Sequence, residues 1–330
     1  MNYFIGELPP PFGGVAVKNS LLYKEIYEPI GVRMLNLVEC KWHPWKIPIV
    51  AIRMIIGLLI SKHIIIGVGT DKRLKILLQL RKLLKGKKGL SRTIVIIMGG
   101  KIHESTQNDI KLASMLKEVQ SIWVETNGMK ISLEKQDFSN VKIFPNCRKD
   151  ENKLTPGIID GEIKYVYFSR ICEEKGVDDI LRTVDDLNSG IKLDFYGEIA
   201  ENYKERFFTF IKSHPNIKYH GVFDSSAEDA AMELNQYDAM LLPTKWCNEG
   251  IPGAIVEAKM AGIATIVSDW NYNTEIVADG IEGIIIREPL ESIINSMTPE
   301  KMMQLKRGSF DSRKRFSIST YSDDLIADIL

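Results

Sequence analysis

Short runs of β-branched and aromatic residues, separated by stretches with the apolar spacing of helices, recur along the whole chain. In the first half they read NYFIGEL, VRMLNLVE, HIIIGVG, TIVIIMGG, SIWVETN and VKIFPN, with helix-like spacing near 15–29, 48–60, 71–86 and 107–118. YVYFS, KLDFYGE, IKYHGV, AMLLP, ATIVSD and EGIIIR continue the theme in the second half. Parallel strands need a crossover that is usually a helix, so this alternation predicts α/β architecture with two doubly wound sheets in tandem. A chain of 330 residues with 45% apolar content is long enough for two cores.

The polar stretch CRKDENKLTPGIIDGE, Cys147 to Glu162, has linker composition and predicts the hinge. The expected division is 1–150, 151–305, and a C-terminal helix over 306–330 that packs back on the first domain. Formal net charge is zero, yet residues 1–160 carry 25 Lys/Arg against 14 Asp/Glu, and the remainder has the opposite excess. Such asymmetry suggests different partners for the two halves, an anionic membrane surface being one for the basic half. Residues 71–92 hold nine cations and one acid beside a broad apolar face. Two readings stay open for them: an interfacial helix, or an ordinary helix covering a sheet.

The apolar run Ile47 to Val68, interrupted by Arg53, Lys62 and His63, is expected to be a buried helix followed by a strand, with no transmembrane anchor. Four separated cysteines without a C-x-x-C pair, and a start unlike a leader, lead us to expect reduced thiols and a cytoplasmic location, peripheral at the inner face of the plasma membrane. Cys40 and His43 lack a second ligand pair, so a zinc site is discarded. Trp42 and Trp45, beside Lys41 and Lys46, suit either an interface or the core.

The stretch NEGIPGAIVEAKMAG, Asn248 to Gly262, sets Glu249 before a Gly/Pro turn and Glu257 one turn into a helix. Gly250, Ile251, Pro252, Gly253 and Ala254 form this turn, and the free N–H groups of all but the proline meet an anion at the positive end of the helix dipole. A carboxylate there is suited to accept hydrogen bonds from hydroxyls rather than to hold phosphate. Arg170, just past a strand, and Lys175, before a helix, supply cations for a diphosphate. No D-x-D triplet is present, which disfavours the metal-dependent kind of sugar transferase.

On these residues the chain resembles the retaining glycosyltransferases of the GT-B type in family 4, two Rossmann-like domains facing across a cleft. The E-x7-E element from Glu249 to Glu257 is the most specific match. The resemblance implies that Glu257 binds the donor ribose, Glu249 the donor sugar, and Arg170 and Lys175 the diphosphate, with no cofactor beyond a UDP or GDP type nucleotide sugar. It implies a donor-binding C-terminal domain, an N-terminal domain for a glycan or lipid-linked acceptor, and no nucleic acid partner. PPPFGGVAVKN places Gly13 and Gly14 in the family's first glycine loop, which binds the donor near the transferred sugar or its phosphate, and MGGKIHES offers His103, with Glu104 adjacent, as the histidine that contacts the donor sugar. Ile251 departs from the phenylalanine of many relatives, which bears on donor choice. An epimerase or phosphorylase on the same scaffold, or a non-catalytic partner subunit, are the rival readings.

Overall fold

The computed structural model describes residues 1–10, 13–39, 44–150, 154–187, 190–224 and 229–330; Cys40, Trp42 and His43 lie outside them. The chain forms two compact units, Met1–Cys147 with Ile318–Leu330, and Arg148–Ser317. The first unit runs β1 (Tyr3–Gly6), α1 (Gly14–Leu22), β2 (Arg33–Asn36), α2 (Ile47–Ile60), β3 (Ile64–Gly67), α3 (Asp71–Leu90), β4 (Thr93–Ile96), α4 (Ile102–Asn108), α5 (Ile110–Glu118), β5 (Ser121–Val124), α6 (Asn127–Glu134) and β6 (Val141–Ile143). Its sheet is parallel throughout, in the order β2-β1-β3-β4-β5-β6.

The second unit runs β7 (Lys164–Phe168), α7 (Val177–Asp186), β8 (Lys192–Tyr196), α8 (Lys204–Ser213), β9 (Ile217–Tyr219), α9 (Ala230–Leu234), β10 (Ala239–Leu242), α10 (Gly253–Ala261), β11 (Ala264–Ser268), α11 (Asn273–Ile276), β12 (Gly283–Ile286), α12 (Leu290–Asn295) and α13 (Pro299–Asp311). Its sheet is also parallel, in the order β12-β11-β10-β7-β8-β9. Each segment expected as a strand forms one. Helices cover both faces of such sheets, so a central strand such as β3 (IIIG) or β10 (AMLL) is apolar at successive positions and buried at all of them.

The helices depart from expectation in instructive places. The spacing over 107–118 predicts one helix, but Asp109 leaves the helical conformation and accepts hydrogen bonds from the N–H groups of Lys111 and Leu112. A short acid prefers that capping role to a helix interior, so α4 ends and α5 begins there. α13 runs through the expected boundary at 305/306. Lys306 is buried in the second unit, 2.7 Å from Asp238, and the chain leaves that unit only after Ser317. The returning segment, with the short α14 (Ser322–Ala327), places Ile318, Leu325 and Ile329 in the first unit's core with Phe4 and Leu22. There the Asp328 carboxylate accepts from Ser121 Oγ at 2.6 Å and Trp123 Nε1 at 2.9 Å.

Two further points concern the basic half. α3 turns Leu74, Leu77 and Leu78 inward to cover the fold, while Ile76 and Leu83 stay exposed. The run expected to be a buried helix is the opposite case. α2 buries Val50, Gly57 and Leu58 and leaves all six of its isoleucines exposed. None of the described helices is long and apolar enough to cross a membrane.

Candidate functional site in the second unit

In the second sheet the chain passes from β7 to β8 and β9 on one side, then returns to β10 on the other side of β7. The strand order therefore reverses between β7 and β10, and crevices that take ligands open beyond the carboxyl ends of strands at such a point. The segments that leave these two ends are 169–176 and 243–252, which carry Arg170, Lys175 and Glu249.

Two glycines allow the approach. Gly176 adopts φ +75°, and a Cβ there would lie 2.0 Å from the carbonyl oxygen of Pro243. Gly197, just past β8, has φ +142°, and its Cβ would lie 1.8 Å from the carbonyl oxygen of Ser169. Only glycine accepts both the left-handed backbone and the contact.

The Lys175 ammonium forms an ion pair with the Glu249 carboxylate, both groups being largely buried. Thr244 Oγ1 stands 3.5 Å from the same carboxylate, and the ammonium lies 5.9 Å from the centre of the Trp246 ring. The loop is held in place from β11. Asn271 Nδ2 donates to the carbonyls of Trp246 at 3.2 Å and Glu249 at 3.3 Å, Trp270 Nε1 donates to that of Trp246 at 3.2 Å, and Ser268 Oγ to that of Thr244. Gly250, Ile251 and Pro252 complete the turn into α10, whose first turn at Gly253 and Ala254 has no side-chain cap and no acidic residue. An uncapped helix N-terminus of this kind offers amide N–H groups to an anion.

Glu257, on α10, takes a separate cation, pairing with Arg148 Nε at the start of the unit. Sequence reading missed Arg148, because its partner lies 109 residues away and no local pattern marks the pair. Arg170 is exposed, and its guanidinium has no ion-pair partner among the described residues. Its backbone carbonyl accepts from Tyr167 Oη at 2.6 Å, which fixes the end of β7. Two aromatic rings lie near the ends of β7 and β8, with Phe168 and Phe223 5.5 Å apart between centroids. Glu198 is exposed beside them.

Behind the site, Lys259 is fully buried, 2.8 Å from Glu282 and 3.0 Å from Ser312 Oγ. Burial pushes its ammonium down to about 8, with Glu282 opposing that shift. This pair supports α10 from its inner side rather than serving a ligand.

The remaining sequence-predicted residues belong to the first unit. Gly13 caps α1 in extended conformation, and Gly13 and Gly14 are exposed with open space where a Cβ would stand. His103 is on α4, just after β4; its Nδ1 is buried without a hydrogen-bond partner among the described residues. Glu104 is exposed, 3.7 Å from Lys101.

Two parallel, doubly wound six-stranded sheets of this order define a GT-B architecture. The family model for glycosyl transferases group 1 matches residues 148–317, the span of the second unit, and the chain belongs to that family. Among solved structures it is similar to the Anabaena protein HepE in complex with UDP, at 12% identity and TM-score 0.75, covering 99% of this chain and 98% of that one. A glycosyltransferase from Rickettsia africae shares 13% identity at TM-score 0.73, over 99% of this chain and 97% of that one. A curated relative, the UDP-Gal:alpha-D-GlcNAc-diphosphoundecaprenol alpha-1,3-galactosyltransferase of Escherichia coli, is 29% identical over 113 residues. That match takes in 33% of this chain and 28% of the relative's length.

Proposed function

We propose that this protein is a retaining glycosyltransferase that moves a sugar from a uridine diphosphate sugar to an acceptor hydroxyl during assembly of a bacterial surface or lipid-linked glycan. One observation carries the reading: at the strand-order reversal, Lys175 after β7 pairs with Glu249 on the loop that leads into the uncapped N-terminus of α10. Cation, amide groups and carboxylates are there the complement of a sugar diphosphate. Lys175, the exposed Arg170 and the N–H groups at Gly253 and Ala254 receive the diphosphate, Glu257 accepts the ribose hydroxyls, and Glu249 accepts those of the sugar.

In this reading donor binding replaces a contact already made, since Lys175 exchanges Glu249 for phosphate oxygens and frees that carboxylate for the sugar. The bond from the anomeric carbon to the diphosphate oxygen breaks, and the acceptor oxygen bonds to that carbon on the same face. The acceptor proton passes to the departing phosphate oxygen, so no protein base is needed. Positive groups fixed where negative charge develops lower the barrier without reorganising. Uridine is favoured over guanosine by the names of the relatives, UDP in the Anabaena complex and UDP-Gal in the Escherichia coli enzyme. The diphosphoundecaprenol acceptor of the latter supports a lipid-linked glycan. The first unit is assigned the acceptor.

A thermal-shift panel of nucleotide sugars tests the donor reading. A uridine diphosphate sugar should raise the melting temperature of the wild type by mass action and that of Glu257→Ala much less. An equal response from the variant removes the ribose role, and no response from the wild type to any nucleotide sugar sinks the reading. NMR of the product formed from an α-linked donor then checks retention, and turnover without a separate acceptor would point to an epimerase.

A further inference from the structure

We propose that α2 is an interfacial anchor that seats the protein on an anionic lipid bilayer. Ile49, Ile52, Ile55, Ile56, Leu59 and Ile60 are each 45–57% exposed. At 100° per residue they fall within an arc of about 140° on the side of the helix away from Val50, Gly57 and Leu58. A soluble helix turns its apolar stripe to the core; here the narrow side faces the sheet and the broad greasy side faces out. The inner side is committed to close packing, since a Cβ on Gly57 would lie 2.9 Å from Leu35 Cδ1. No rotation of α2 that buries the isoleucines keeps that contact.

Charge decides the occupant. From Trp45 to Arg92 the sequence holds twelve lysines and arginines and one acid, Asp71; Lys46, Arg73, Lys75 and Lys82 pair with Glu39, Glu7, Asp109 and Glu118 from outside that stretch. Arg81 on α3 is fully buried and donates to the carbonyls at the end of α2, to Leu58 and, at 3.3 Å, to Ser61 and Lys62. The greasy helix and the basic one are thereby locked together. Lys62, Lys85, Lys87 and Lys88 are exposed around that junction, and Arg53 is exposed on α2 itself. Lys85 is pushed below its ordinary range, first by burial and then by Arg81, Arg92 and Lys88, as expected where cations gather without a carboxylate. A second copy of this chain would bring the same positive rim against itself, whereas anionic headgroups neutralise it. Fourteen residues rise about 21 Å along the axis, too short to span a bilayer core of about 30 Å, so the helix lies in the interface plane.

The full chain, free of nucleotide, is sedimented with vesicles of phosphatidylcholine alone and of phosphatidylcholine with phosphatidylglycerol. Wild type should partition about tenfold more into the anionic vesicles and lose that preference at high salt. The double variant Ile52→Ser/Ile56→Ser should lose about tenfold of its binding, while Ile110→Ser, at another exposed isoleucine, should not. Thermal unfolding of the double variant should match wild type, because neither side chain is buried. Failure of the wild type to bind, or equal binding to both vesicles, overturns the proposal. So does a dimer on size exclusion that the double variant disperses, which would make the face a self-interface. No donor is involved, so either outcome leaves the nucleotide-sugar reading untouched.

Discussion

The two sheets reverse their strand order at comparable points, yet they furnish those points with different chemistry. In the first unit the reversal falls between β1 and β3. Asn19 Nδ2 donates there to the carbonyls of Glu7 at 3.0 Å and Gly67 at 2.9 Å, a Cβ on Gly67 would lie 2.4 Å from Asn19 Oδ1, and the nearby charges pair within the unit, Glu7 with Arg73 and buried Lys18 with Glu125 at 2.7 Å. In the second unit the reversal falls between β7 and β10; it too holds carboxylate–cation pairs, and it adds Arg170, exposed and with no ion-pair partner among the described residues. The difference teaches that the same scaffold can close the edge of its sheet with a buried amide or leave a cation open there, through a few side chains.

Breaking the charged side should have the largest effect. Lys175→Ala removes the cation nearest the expected diphosphate, and steady-state assays should show transfer falling by about a hundredfold to a thousandfold. A smaller loss would mean that Arg170 and the α10 amides carry the charge alone.

The buried charge behind the site gives the next effect. Lys259 has its folded-state value lowered to about 8 from an ordinary 10.5. Between those pH values the unfolded chain takes up a proton that the folded chain does not. Stability from this group therefore rises with pH across the window, by up to about 3 kcal/mol. Lys259→Met should abolish that rise in denaturant titrations while leaving stability near pH 7 within about 1 kcal/mol of wild type. Glu282 keeps Arg315 at 2.7 Å in the variant.

At the first unit's reversal, Asn19→Ala should destabilise that unit by about 1–3 kcal/mol in chemical denaturation, since it strands buried carbonyls. The smallest structural effect is expected for Gly13→Ala, where nothing lies within 4 Å of the new Cβ and the backbone is already extended. Its melting curve should match wild type to within about 0.5 kcal/mol. Loss of transfer in that intact protein would assign the glycine to a ligand's approach rather than to the fold.

Much of the fold is legible because a parallel strand buried on both faces is an unbroken apolar run, and β3, β4, β10 and β11 are of that kind. The turn from Glu249 to Glu257 is legible for a related reason: its glycines and proline lie between a strand and a helix within fifteen residues. Arg148 is not legible, because charge pairing depends on where distant segments meet. The break at Asp109 escaped too, since its apolar neighbours keep helical spacing on both sides of a residue that caps.

The amino-acid sequence by itself determined the two α/β sheets and the strand-loop-helix unit that carries Glu249, since hydrophobic period and turn chemistry are local properties. Only the tertiary structure decided which cation each carboxylate takes, where the chain returns to the first unit, and which way α2 faces. An isoleucine-rich helix has the same composition whether its broad side meets a core or solvent. The contact of Gly57 with Leu35 and the grip of Arg81 on the helix end settle that orientation, and both come from residues far along the chain.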